Sequence, residues 1–412
     1  MFGSARAILR ALRKIRFAYE PLIEVRIRRD AIMHNLRAFQ NLDKRAAVAP
    51  VLKSNSYGHG LVEVAKILDR ENVPFLCVDS YFEALILRNE GIRSPILIIG
   101  YTPIKNILGS KLENVAFGII GLEELRRFSE NLRAPRTIHL KIDTGMHRHG
   151  ILPSEFDCAI EIVRENDRIV LEGIYSHFAD ADTPDSPHTA AQIKTWNEVV
   201  ERSKKELPNI RYFHIAATAG SFYSKKIDAN TMRLGIGLYG INPVRNSPPI
   251  SPTGAQSADE ISNGVNASLA PFSLRPALEM VTRITFVRTV LAGEPIGYNA
   301  TFTAPKDIRI ATIPVGYNEG VDRRLSNKGI VLIRDIECPI VGRVSMNITS
   351  IDVSHIPDIG LDEHVVVISA EKHAPNSVEN IARVCGTIPY EILVHIPAHL
   401  RRVVVSSRES GG

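Results

Sequence analysis

The chain has 412 residues, 44% hydrophobic and 23% charged, an ordinary globular composition with apolar material for two or three domains. Disordered, collagen-like and disulfide-scaffold classes are excluded; no run of about 18 apolar residues exists for a membrane span. Lys and Arg total 50 against 45 Asp and Glu, and the five surplus charges (Arg6, Arg10, Arg13, Lys14, Arg16) all precede the first acid, Glu20, so the body carries no basic field for nucleic acid.

Residues 1–20 are basic, with Ile8, Leu9, Leu12 and Ile15 at helical spacing but no uninterrupted apolar region of the secretory kind. A transit peptide or membrane-surface helix fits, and a loose N-terminal extension is the plainer reading. Over 21–45, IEVRIR alternates as a strand, expected to pair with the β domain below, and a helix follows. Between 46 and 243 eight apolar runs alternate with helix-period segments: APVLKS, PFLCVDS, SPILIIG, NVAFGII, TIHLKIDTG, LEGIYSHFA, YFHIAATAG and MRLGIGLYG. Strands buried on both faces read this way, and helical crossovers are what parallel pairing needs. The pattern predicts a (β/α)₈, or TIM, barrel, with a doubly wound open sheet as the alternative. Residues 244–275 are rich in Ser, Pro, Asn and Gly and read as a linker or surface insertion. From 276 to 412 short β-branched runs (MVTRITFVRTV, RIATIPVG, GIVLIRD, PIVGRVSM, TSIDVS, EHVVVIS) predict a C-terminal all-β domain, interrupted by one short helix, SVENIARVCG. The four cysteines, Cys77, Cys158, Cys338 and Cys385, show no zinc spacing and read as reduced thiols of a cytoplasmic protein.

A barrel of this kind carries its reactive groups at the C-terminal ends of its strands. Lys53 ends the first strand, Arg148 follows the fifth, His177 ends the sixth, Thr218 follows the seventh, and Arg233 with Gly235 lies at the eighth. A lysine closing an apolar strand is expected to be poorly solvated, which favours the neutral amine that forms imines; taken alone it is equally a lysine snorkelling to the rim. Thr218 and RLGIG suit a phosphate site after strands seven and eight. His147 and His149 flank Arg148 and are read without a metal role.

VLKSNSYGHG resembles the pyridoxal-phosphate lysine motif of the alanine racemase family (fold type III), and KIDTGMHRHG, SHFADAD, HIAATAG, RLGIGLYG, IGYNATFTA, IATIPVGYNEG, LSNKG and CPIVGRVSMN follow in that family's order. The resemblance covers about residues 22 to 405. It implies a pyridoxal 5'-phosphate enzyme interconverting L- and D-alanine for peptidoglycan precursors, working as a homodimer with shared active sites on a small amino-acid substrate. A racemase of broader range and a non-catalytic pyridoxal-phosphate carrier are the alternatives.

By the resemblance, Lys53 forms the cofactor aldimine and is the base on one face, and Tyr298 of the other subunit is the base on the opposite face. Arg233 faces the pyridine nitrogen and His177 holds it. Tyr57, Thr218, Gly235 and Ile236 bind the phosphate. Arg148 lies near the cofactor and substrate carboxylate, and Lys141 matches a lysine that some members carry carbamylated. Met346 touches the substrate carboxylate and Tyr317 lines the entry. Four positions depart from the family pattern. Asn347 replaces an aspartate, which predicts a missing carboxylate near Tyr298; Val321 replaces an aromatic residue; Ala398 replaces a tyrosine near the phosphate; Ala217 replaces an asparagine. Together they predict an opened entry side.

Overall fold

The computed structural model describes residues 20–244 and 272–406. The basic leading segment and the Ser/Pro-rich stretch lie, but for their edges, outside the described residues. The eight apolar runs form eight parallel strands: β2 (Ala47–Pro50), β3 (Leu76–Val78), β4 (Ile96–Ile98), β5 (Val115–Ile119), β6 (Arg136–Lys141), β7 (Ile169–Tyr175), β8 (Tyr212–His214) and β9 (Thr231–Leu234). β3 to β8 pair in sequence order, and β9 pairs with β2. Hydrogen bonds carry the ring through its two remaining joints: Arg233 N to Ala216 O (3.0 Å), and Leu52 N to Cys77 O (2.7 Å). This closure selects the barrel over the open sheet. The strands are buried almost throughout, which explains their unbroken apolar reading.

The crossover helices show one-sided patterning. Leu122–Asn131 buries Leu125 and Phe128, three residues apart on one face. Pro187–Glu206, capped by Ser186, buries Trp196 completely. The helix Arg29–Leu42 is fastened by a buried polar side chain: Asn35 Nδ2 donates to Leu238 O (3.0 Å) and Arg275 O (2.8 Å), and Asn35 Oδ1 accepts from Arg275 N (2.9 Å).

The chain divides into two compact units. Among the described residues, one is the barrel unit, 27–244 and 272–278 with 370–398 and 404–406; the other is the β unit, 20–26 with 279–369 and 399–403. In the β unit β1 (Glu24–Arg28) lies between β10 (Leu278–Arg283) and β19 (Arg401–Val405) in a six-stranded sheet completed by β15 (Ile330–Ile333), β16 (Ile336–Pro339) and β18 (His364–Ile368). A second sheet joins β11 (Phe286–Val290), β14 (Ile308–Ile313) and β17 (Thr349–Asp352), and β12 (Pro295–Ile296) and β13 (Phe302–Thr303) form a hairpin. Val290, Ile296, Ala304, Ile308, Ile310 and Val341 form one core cluster there.

Two readings of the C-terminal region change. PIVGRVSM is not a strand: β16 ends at Pro339, and beyond the isolated bridge Ile340–Ile351 the chain runs as loop. A second helix, Pro389–Val394, follows Val378–Cys385, and residues 370–398 cluster with the barrel instead of the β domain.

Replacing Asn35 by Leu removes three hydrogen bonds to backbone groups, one buried and two partly buried. The variant should lose about 2–4 kcal/mol of stability in denaturant unfolding.

Candidate active site

Past β2 the backbone enters a turn in which Ser54, Asn55, Ser56 and Tyr57 all have φ between 52° and 55°. A left-handed turn of residues with Cβ atoms costs about 1–2 kcal/mol per residue, so it persists only where its surroundings fasten it. Ser54 N donates to Glu83 Oε1 (2.8 Å) and Leu61 N donates to Asn55 Oδ1 (2.9 Å). Glu83 also accepts from the backbone N–H groups of Asp79 (2.8 Å) and Ser80 (3.2 Å). Its role was missed from sequence, although Ser80 and Glu83 form a capping box ahead of the helix Tyr81–Asn89. Gly58 closes the turn at φ +80°, and a Cβ there would lie 2.0 Å from Leu393 O, so the helix Pro389–Val394 seats directly on this turn.

The turn follows directly on Lys53. Within the single chain its side chain is 37% exposed, with Nζ 3.8 Å from Asp79 Oδ1. Asp79, at the end of the next strand, supplies a hydrated carboxylate beside it. The desolvated lysine is Lys141, at the end of β6, where burial and then the charge of Arg148 lower its pKa to about 8. Arg148 itself is exposed, on a loop held by Asp143 Oδ1, which accepts from Gly145 N, Met146 N and His147 N (2.9–3.1 Å). Among the described residues no cluster of three or more His, Cys, Asp or Glu could hold a metal.

Arg233 is buried inside the barrel. Its NH1 donates to His214 Nδ1 (2.5 Å) and His214 O (2.8 Å); its NH2 donates to Ser176 O (2.6 Å), Ile215 O (3.2 Å) and His177 Nδ1 (3.2 Å). Burial and the adjacent guanidinium push His177 down to about 3, so it accepts as a neutral imidazole. His214 was not singled out from sequence, although it opens the HIAATAG motif.

Tyr57, Thr218 and Gly235 come together. A Cβ on Gly235 would lie 2.9 Å from Tyr57 Oη and 3.9 Å from Thr218 Oγ1, so the missing side chain keeps open a small polar cradle. Thr218 Oγ1 accepts from Gly237 N (3.1 Å), and Ile236 is buried at the start of the same short turn. Tyr390, unnoticed in the sequence, packs its ring on Tyr57 at 6.0 Å. Ala398 is exposed. These residues fit a phosphorylated aldehyde cofactor: a hydroxyl-lined cradle, an accessible primary amine and a buried guanidinium share one barrel.

On the β unit, Tyr298 is 69% exposed, on a short turn between β12 and β13 in which Gly297, Asn299 and Ala300 have positive φ. It is thus no packed strand tyrosine. Tyr317 and Met346, both exposed, lie on adjoining segments: Tyr317 N donates to Ser345 O (3.0 Å) and Asn318 N to Met346 O (2.9 Å). The missing carboxylate expected from Asn347 has a local counterpart. Asn347 Nδ2 donates to Glu319 Oε1 (2.6 Å), and the buried Glu319 also accepts from Asn318 Nδ2 (2.8 Å) and Gly316 N (2.9 Å). Val321 is buried and so opens no entry.

Residues 27–243 match the alanine racemase N-terminal domain family, and residues 277–404 match the alanine racemase C-terminal domain family. The chain belongs to the alanine racemase family. It is 37% identical over 371 residues to the alanine racemase of Syntrophobacter fumaroxidans, covering 89% of this chain and 93% of that protein. A solved alanine racemase of Clostridium difficile superposes with a TM-score of 0.82 at 29% identity, over 95% of this chain and 98% of that one. A solved histidine racemase of Leuconostoc mesenteroides gives 0.81 at 26% identity, over 94% and 99%.

Two substitutions test the local geometry. Gly58→Ala should destabilise by about 2–4 kcal/mol, because left-handed strain adds to the overlap with Leu393 O. Asn347→Asp should cost about 1–3 kcal/mol in thermal or denaturant unfolding at neutral pH, since it sets a second carboxylate against Glu319.

Proposed function

We propose that the chain interconverts L- and D-alanine with pyridoxal phosphate, as a cytoplasmic homodimer in which each subunit lends Tyr298 to the other's barrel. The observation that carries this reading is the company Lys53 keeps on the barrel unit: the buried Arg233 and the glycine-opened cradle beside Tyr57 and Thr218. Lys53 would hold the aldehyde carbon covalently, Tyr57, Thr218, Gly235 and Ile236 the phosphate, and Arg233 the ring nitrogen, with His177 steadying it. When bound, the cofactor supplies the electron sink that makes the α-proton acidic.

A proton removed from one face of the α-carbon must be returned to the other, so two acid–base groups are required. Lys53 serves one face and the outward-held phenol of Tyr298 the other. Arg233 can donate to the ring nitrogen but does not give up its proton, which limits charge build-up on the ring and disfavours transamination. Arg148, Met346 and Tyr317 would receive the substrate carboxylate. The C-terminal domain with its tyrosine separates this reading from a barrel-only carrier, and D-alanine for peptidoglycan precursors is the product it assigns.

A wider substrate range is the second reading. It is favoured by the exposed Ala398, where the family pattern has a tyrosine, and by the histidine racemase likeness. Steady-state assays on both enantiomers of alanine, serine and histidine decide between the two; comparable kcat/KM for serine and alanine would replace the first reading.

Borohydride treatment of the cofactor-loaded protein should leave the cofactor fixed to a peptide containing Lys53. Tyr298→Phe should keep cofactor binding but lower proton exchange with solvent by about 10²–10⁴-fold, on one enantiomer preferentially. Wild-type racemisation in that variant would overturn the two-base reading.

Lys141 is assigned a carbamate that orients Arg148. With its pKa lowered to about 8, a useful fraction of the amine is free to add carbon dioxide near neutral pH. Protein given ¹³C-bicarbonate should show a carbamate carbon resonance that grows as pH rises through 8 and is absent from Lys141→Arg. The same depressed pKa has a stability consequence. Between about pH 8 and the ordinary lysine range near 10.4 the unfolded chain binds the extra proton, so this group's contribution to stability rises with pH across that window.

A further inference from the structure

Arg233 lies at the end of a line of hydrogen bonds that leaves the cofactor side of the barrel. His214, which accepts from its NH1, places Nε2 2.9 Å from His139 Nδ1, and His139 Nε2 lies 3.4 Å from Glu172 Oε2. Because a guanidinium only donates, the polarity of the line is fixed from one end. His214 Nδ1 must be bare, so its proton sits on Nε2 and points at His139. His139 Nδ1 must then be bare too, so its proton sits on Nε2 and points at the carboxylate. Donation runs one way, from a permanent cation to Glu172, through two neutral imidazoles.

Local structure is bent to make room for this line. The β6–β7 ladder slips its register between Ile138 and His139. Opposite the slip, Gly173 lacks a Cβ that would lie 2.4 Å from His139 Nδ1. Tyr175 stacks on His214 at 5.3 Å with the rings 6° from parallel. Burial lowers the pKa of both histidines, in keeping with neutral rings at ordinary pH. At the far end, Glu172 is partly exposed and, with His139, lines a cavity of about 580 Å³ bounded by the N-terminal ends of the barrel strands.

We propose that Glu172 is the counter-ion of Arg233, acting through His139 and His214, and that Glu172 and His139 are positioning residues for the guanidinium. A buried cation needs a partner charge, and a carboxylate placed directly beside Arg233 would pull its donors away from the cofactor ring. Two interposed neutral imidazoles align a polarised line of hydrogen bonds from Arg233 to the carboxylate while leaving the guanidinium in place. The kinetic consequence rests on the proposed racemase function; the hydrogen-bond polarity does not.

The test has two arms. In ¹⁵N-histidine-labelled, cofactor-free protein, the ring nitrogens of His139 and His214 should report bare Nδ1 and protonated Nε2 at neutral pH. Gly173→Ala should abolish the coupling between the two rings. A protonated imidazolium, or the opposite tautomer at either residue, would overturn the proposal whether or not the protein racemises alanine. In the loaded enzyme, Glu172→Gln keeps shape and an acceptor oxygen but removes the charge. It should lower kcat about fivefold to tenfold, with KM and melting temperature little changed, and Glu172→Asp should recover much of the loss. Wild-type kcat in Glu172→Gln would reduce Glu172 to a structural acceptor and end the counter-ion assignment. Absence of racemisation in the wild type would instead count against the proposed function, with the nitrogen resonances still able to decide the relay.

Discussion

The barrel interior is organised around one buried cation. Taking a guanidinium out of water carries a penalty of several kcal/mol, and Arg233 cannot escape it by shedding its proton. The surroundings meet that cost with the carbonyl oxygens of Ser176, His214 and Ile215 and with two imidazole nitrogens, all accepting. The consequences spread outward. The cation, together with burial, keeps His177 and His214 neutral and helps to hold Lys141 low. The donor directions of Arg233 are therefore fixed by the protein's own acceptors, which is what preorganisation requires.

A second constraint is conformational. Four consecutive residues with positive φ turn the chain sharply after Lys53, so that Tyr57 comes to lie beside Gly235 while Lys53 stays in reach of solvent and Asp79. Such strain is held by neighbours far along the chain. Glu83 clamps the turn from the next βα unit, and the backbone of Leu393 covers Gly58. The helix Pro389–Val394, remote in sequence, is in this sense part of the barrel's active end.

What could be read from sequence follows from which forces leave local marks. Continuous apolar runs separated by helix-period segments marked all eight barrel strands, and the rule that strand ends carry chemistry singled out Lys53, Thr218, Arg233 and Gly235. Strands buried on both faces lack alternation, however, so nothing in TIHLKIDTG showed that His139 turns inward to meet His214. The carboxylate beside Lys53, Asp79, is contributed by another strand and left no trace in VLKSNSYGHG. In the β unit the β-branched richness of PIVGRVSM imitated a strand, whereas its glycine and the bridge at Ile340 mark where pairing stops.

The departures from the family pattern show why single positions mislead. Asn347 alone looks like a deleted charge. Beside Glu319 it is the neutral donor that a buried carboxylate needs, and an aspartate there would oppose it. The amide of Asn347 and the carboxylate of Glu319 thus meet across two segments that two strands separate in the chain. Val321 likewise is absorbed into the core. Ala398 differs from both: it is exposed, so the substitution removes side-chain bulk at the surface.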